Sequence, residues 1–231
     1  MFRYPRRDDP TARVRAGWLR SGIGVVLALA LGVLSLVAAS PAGASPLAGH
    51  PRPVTVIPDG AMLQPADLGG VETMPAAGDL RPWLRPPQPA GPYRSLAKRG
   101  ADRAIQALYP VSDIRPTVLL EYVAVFRGAG AAQYLRELTR AVTRCGGVTD
   151  QGRTWRVVGT GLAGRHSLLL SVRETVGYDG GNRVQTSYVA VARTGHAIVV
   201  LADIGWELGD GHQELVSGLA PVAVERAAVL R

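Results

Sequence analysis

A chain of 231 residues with 47% apolar content can build one domain of ordinary size around a core, and it is too apolar for a disordered chain. The formal charge is +8, yet residues 1–20 hold six Arg against two Asp, so the remaining excess is spread thinly over some two hundred residues. No basic stripe interleaved with aromatics follows, which argues against a nucleic-acid partner.

Ahead of the domain, Arg3, Arg6, Arg7, Arg13, Arg15 and Arg20 precede a stretch from Ser21 to Pro51 without a charged side chain. Within it IGVVLALALGVLSLVAA is long and apolar enough to cross a bilayer as a helix, and the positive charge ahead of it holds that end in the cytoplasm. Ala42 and Ala44 fit the small-x-small pattern of signal peptidase, so cleavage is expected after Ala44. The alternative is an uncut anchor. Residues 1–44 are therefore read as signal peptide or membrane anchor, 45–58 as a Pro/Gly/Ala linker, and 59–231 as an exported domain.

Met62, Leu63 and Leu68 form a short apolar turn closed by Gly69-Gly70. From there to Pro92 the prolines are too dense for a helix or a central strand, which predicts an irregular arm anchored by Trp83 and Leu84. Residues 101–109 fit either a strand or two turns of helix; the strand is preferred, because Pro110 to Pro116 then makes a loop back into the next strand. Thr117 to Phe126 is an apolar strand, covered on both faces or nearly so. In the helix that follows, Ala131, Tyr134, Leu135, Leu138, Ala141, Val142 and Cys145 make one stripe, and Gly146-Gly147 closes it.

Beyond that helix come strands at Thr154–Thr160 and Ser167–Val176, then a hairpin of Arg183–Ala192 with Ala197–Ile204. Leu168, Leu170 and Val172 alternate with Ser171, Arg173 and Thr175, so one side of the sheet meets water or a groove. A last helix is expected with Asp210 as N-cap and an apolar stripe of Leu215, Leu219, Val222 and Leu230, interrupted at Pro221. The fold class is α+β: a mainly antiparallel sheet with both helices packed on one face, preceded by the N-terminal apolar helix.

Four stretches carry a resemblance. VAVFRGAGAAQYLRELTRAVTRC, AMLQPADLGG and GTGLAGRHSLLLSV resemble, together with the hairpin SYVAVARTGHAIVVL, the actinobacterial sensor-type domains related to the extracellular domain of the serine/threonine kinase PknH. The resemblance runs from about Asp59 to Leu230. It implies an exported domain, free-standing or tethered, that binds something and performs no catalysis. Arg165-His166 stand where that group has an acidic residue. The group also carries paired cysteines, whereas Cys145 is the only cysteine here, so no intramolecular disulfide can form. Cys145 is read as a small apolar residue of the helix stripe, with an intermolecular disulfide as the alternative.

Candidate chemistry is sparse. Gly159, Gly161 and Gly164 match a dinucleotide fingerprint, but the sequence after them alternates like a strand where the fingerprint needs a helix. His50, His166, His196 and His212 show no metal-ligand spacing. Asp203 and Glu207 beside Trp206 are a candidate carboxylate pair, a pattern common by chance. No catalytic residue, metal or cofactor is assigned. The expected function is a sensor-like or ligand-binding domain of the cell envelope, with Arg173 and Tyr188 on the polar sheet face as ligand candidates. The alternative is a structural or interaction module that docks a partner protein through its Pro-rich arm. The membrane is a further partner if the N-terminal helix stays attached.

Overall fold

The computed structural model describes residues 54–112, 115–144, 147–178 and 181–230. The apolar N-terminal segment, its cleavage position, most of the linker, His50 and Cys145 lie outside the described residues. Among those that are described, no helix is long and apolar enough to cross a membrane.

Eight strands form one sheet in the order β1-β2-β3-β8-β7-β6-β5-β4, with every neighbour antiparallel. They are β1 (Met74–Pro75), β2 (Arg99–Ser112), β3 (Arg115–Phe126), β4 (Val148–Asp150), β5 (Arg153–Thr160), β6 (Ser167–Tyr178), β7 (Gly181–Thr194) and β8 (Ala197–Asp203). Helix α1 (Gly130–Thr143) carries the chain from β3 across to β4 at the far edge. The chain then returns by hairpins until β8 slots in beside β3. Helix α2 (Gln213–Ala227) follows β8.

The expected loop from Pro110 to Pro116 is strand instead. Pairing continues through Pro110↔Pro116 to Ser112↔Arg115, because both prolines sit at the end of the ladder where a missing N–H is tolerated. Two very short strands, β1 and β4, were not anticipated. The turn joining β4 to β5 has φ 51° at Gln151 and 79° at Gly152, the left-handed pair that matches the twist of a two-residue hairpin.

The two helices pack on opposite faces of the sheet, and this overturns the expectation that both share one face. Ala131, Tyr134, Leu138 and Val142 of α1 meet Leu120, Ala124, Phe126, Leu170, Val191 and Val200. Val216, Ala220, Ala223 and Ala227 of α2 meet Leu119, Val123, Leu169, Ala190, Val199 and Leu201 on the other side. The reason lies in the central strands: β3 and β8 are apolar at successive positions, which point to opposite faces, and each face needs its own cover. The buried stripe of α2 is also shifted from the expected one, since Leu215, Leu219 and Val222 flank it half-buried. Its contact residues are mostly Ala, which lets the helix approach the sheet closely. The helix runs through Pro221, whose ring is on the exposed side.

The segment ahead of β2 divides its cover between the faces. Ile57, Ala61, Met62, Leu63 and Leu68 complete the α2 face, so the packed body reaches back to Ile57, ahead of the boundary expected at Asp59. Asp67 accepts two hydrogen bonds from Arg226 of α2, at 2.8 and 3.0 Å, and its carboxyl is held below the usual range chiefly by that guanidinium. After β1 the chain passes to the α1 face.

Glu121 is the exception in the core. It lies on the α2 face of β3 at 2% exposure, and its Oε2 accepts the amide of Leu63 at 2.8 Å. Its other oxygen has no partner among the described residues. Burial, reinforced by the charge of Asp67, pushes the carboxyl from 4.5 up to about 8, against the pull of the Leu63 amide and Arg103. Folded Glu121 thus keeps a proton that the unfolded chain releases, and stability should fall as pH rises from about 4.5 to about 8. The slope contributed by this group is at most about 1.4 kcal/mol per pH unit. In urea melts across that window, Glu121→Gln keeps an acceptor for Leu63 and should remove this component. Equal pH dependence in both proteins would mean that the acid is not held as described.

Candidate functional site

The Pro-rich arm is built from local turns because its prolines forbid anything longer. A 3-10 turn at Arg81–Leu84 and another at Arg94–Lys98 bracket it. Leu84 is buried, and Leu80, Trp83, Tyr93 and Leu96 pack half-buried against the α1 face. Trp83 and Leu84 do anchor the arm. The guanidinium of Arg153 sits 3.7 Å from the Trp83 ring centroid and is itself held by Glu174 at 3.1 Å.

Further along, the amide of Gln88 donates to Asp150 at 2.8 Å, and the Tyr93 hydroxyl donates to the carbonyl of Pro87. The Tyr93 ring meets Tyr134 edge-on at 5.5 Å. Ser95 donates from both its amide and its hydroxyl to Glu137 of α1. Burial pushes the Glu137 carboxyl up, but the bonds from Ser95 and Gln133 outweigh it and leave the group below its ordinary value.

Between this fastened arm and the sheet lies a crevice of about 480 Å³, within the range of small-ligand pockets. Its floor is apolar: Leu84 from the arm, Ala104 from β2, Phe126 from β3, Tyr134 from α1 and Ile198 from β8. Arg81, Arg85 and Gln88 reach it from the arm, and Arg99, Asp102, Arg103 and Tyr122 from the sheet. Arg99 donates to the Tyr122 hydroxyl at 3.0 Å and stands 3.6 Å from Asp102. Burial and then the charge of Asp102 push the Tyr122 phenol up to about 12, so it stays protonated. The arrangement offers guanidinium and phenol groups above a greasy base.

The residues singled out by sequence do not gather there. Arg173 and Tyr188 share the α2 face of the sheet, where their strands pair as Arg173↔Thr186 and Ser171↔Tyr188. Arg173 is exposed and lines a shallow crevice of about 240 Å³ with Thr154 and Arg156. Tyr188 is half-buried against the apolar cluster beneath α2. No group of three or more His, Cys, Asp or Glu among the described residues is placed to hold a metal ion. The Gly159–Gly164 loop leads into β6 and not into a helix.

The Asp203 and Glu207 pair dissolves. Asp203 is fully buried and structural: it accepts bonds from the Thr117 hydroxyl, the Gly205 amide at 2.9 Å, and the His212 amide and ring at 2.8 and 3.0 Å. Glu207 is exposed, with φ 52° in a loop so tight that a Cβ on Gly205 would meet the carbonyl of Gly209 at 2.0 Å. Asp210 does not cap α2 either. It accepts the Thr186 amide at 2.7 Å, and His212 occupies the N-cap. That loop edges a crevice of about 720 Å³, more open than the one beneath the arm, with Trp206, Arg115 and Arg183 around it.

No protein-family profile matches the sequence, and no curated protein matches it. Among solved structures, the extracellular domain of PknH from Mycobacterium tuberculosis is similar over 74% of this chain and 92% of that domain, at 12% identity and a TM-score of 0.42.

Arg81, Arg85, Arg99 and Tyr122 are absent from the sequence expectations. Two signals point to three of them: the Arg-x-x-x-Arg spacing of Arg81 and Arg85 inside the arm, and Tyr122 beside Glu121 in a mainly apolar strand; Arg99 has none. The arm's attachment is testable. Trp83→Ala removes both a packing contact and the seat of Arg153, and should cost on the order of 2 kcal/mol. Amide hydrogen exchange of residues 85–98 should accelerate more than that of β3 or β8. An unchanged exchange pattern in the arm would show that Trp83 is not the anchor.

Proposed function

We propose that this chain is an exported, non-catalytic binding module of the cell envelope, and that its ligand sits in the crevice beneath the Pro-rich arm. The carrying observation is that crevice. Side chains from the arm, β2, β3, α1 and β8 converge on it, joining an apolar base to a larger set of polar and charged side chains. Placement outside the cytoplasm draws its support from the Arg-led apolar segment ahead of the domain. The sensor-like character suggested by the resembling sequence stretches belongs to the same reading.

A second reading is partner docking through the arm. It is favoured by an open groove of about 500 Å³ between residues 89–94 and the exposed side of α1 at Arg140, Ala141 and Arg144.

A thermal-shift screen of the full chain against envelope glycans, lipids and peptides separates the two readings. A small ligand of the crevice should raise the melting temperature of the wild type and of Ala104→Ser, which leaves the floor open. It should not do so in Ala104→Phe, which fills the floor. A shift that survives Ala104→Phe places the ligand elsewhere. A response to peptides that is lost on substituting Arg140 and Arg144 supports the docking reading.

A further inference from the structure

Within the reading of the crevice as a ligand site, we infer that its occupant is an anionic amphipath: a carboxylate or phosphate head on an apolar body. The crevice is lined by Arg81 and Arg85 from the arm and by Arg99 and Arg103 from β2, against the one carboxylate of Asp102; Arg103 is paired with Asp59. Arg99 has Asp102 as a partner, but neither Arg81 nor Arg85 makes an ion pair among the described residues. Cations without counter-charges beside a low-dielectric wall concentrate a positive potential at the mouth. Guanidinium groups recognise carboxylate and phosphate oxygens in a fork. The protonated Tyr122 hydroxyl lies beside Arg99 as a further polar group at the head position.

The floor sets the other half of the ligand. Leu84, Phe126 and Ile198 are buried and apolar, and the Tyr134 ring lies among them, packed on Phe126 at 5.5 Å. A free inorganic anion would satisfy the rim and leave this floor unfilled. A neutral sugar would leave two guanidiniums uncompensated and set its hydroxyls against hydrocarbon. A cation would be repelled at the mouth. A molecule with one charged end and one greasy end meets both surfaces at once.

The test uses the full chain in a neutral maltoside micelle, titrated calorimetrically with octanoate, octyl phosphate, 1-octanol, octyltrimethylammonium and inorganic phosphate. The same titrations on Arg85→Gln/Arg99→Gln, at a matched melting temperature, cancel partition into the micelle. Octanoate and octyl phosphate should bind the wild type, the two heads distinguishing a carboxylate from a phosphate preference. The double variant should weaken both by at least about tenfold. Raising salt from about 0.05 to about 0.5 M should weaken them as well. 1-Octanol as tight as octanoate, and indifferent to the Arg substitutions, would overturn the anionic head while leaving the crevice as a ligand site. Inorganic phosphate as tight as octyl phosphate would overturn the apolar body. If every titration of the wild type matched that of Ala104→Phe, the crevice itself would fail as a site.

Discussion

A sheet whose middle strands are apolar on both sides cannot leave either side in water, and most of this structure answers that demand. All seven residues of β8 are buried, and β3 is buried along most of its length. One amphipathic helix covers one face and a second covers the other. Neither is broad enough to shield eight strands. The remaining area is closed by the segment before β2, which runs first along the α2 side and then, as the arm, along the α1 side. The crevice beneath the arm follows from the second of these closures, because it is the gap left where an irregular, proline-ruled chain meets a regular sheet.

The arm can line a crevice because side-chain packing and polar contacts, and not a ladder, tie it down. Proline removes the amide donors that would have paired it with a strand, so its hold comes from side chains and turn amides: Trp83 under Arg153, Gln88 on Asp150, Ser95 on Glu137. These fastenings leave Arg81 and Arg85 exposed at the crevice while Leu84 is buried in its floor. Charge at the mouth and hydrocarbon below therefore come from adjacent positions of one short stretch.

Legibility in the sequence follows how local each cause is. The α1 stripe from Ala131 to Val142, the apolar run Thr117–Phe126 within β3 and the hairpin turning at Gly195-His196 rest on periodicity and turn chemistry within a few residues, and the structure holds them. The face chosen by α2 depends on which side of the sheet remains uncovered, a property of the assembled strands that no window of sequence contains. Asp203 shows the same limit. As a carboxylate near an aromatic it reads as chemistry, but its partners Thr117 and His212 reach it from a different strand and from the head of α2. Glu121 and Tyr122 stand out as adjacent polar residues in the middle of TVLLEYVAVF. Strand geometry sends them to opposite faces, one into the core and one to the crevice. The arm's arginines were hidden because exposed Arg is the commonest charged residue in this chain.

The position of β8 has a consequence for how the molecule comes together. It is the final strand in sequence and yet lies in the interior of the sheet, joining β2-β3 to the β4–β7 meander. Until Ala197–Asp203 arrives, β3 has a bare, apolar edge of the kind that invites pairing with other chains. Completion of the sheet is thus a late, non-local event, and such topologies form slowly. A nascent or truncated polypeptide lacking its last strand would be two adhesive half-sheets awaiting a keystone.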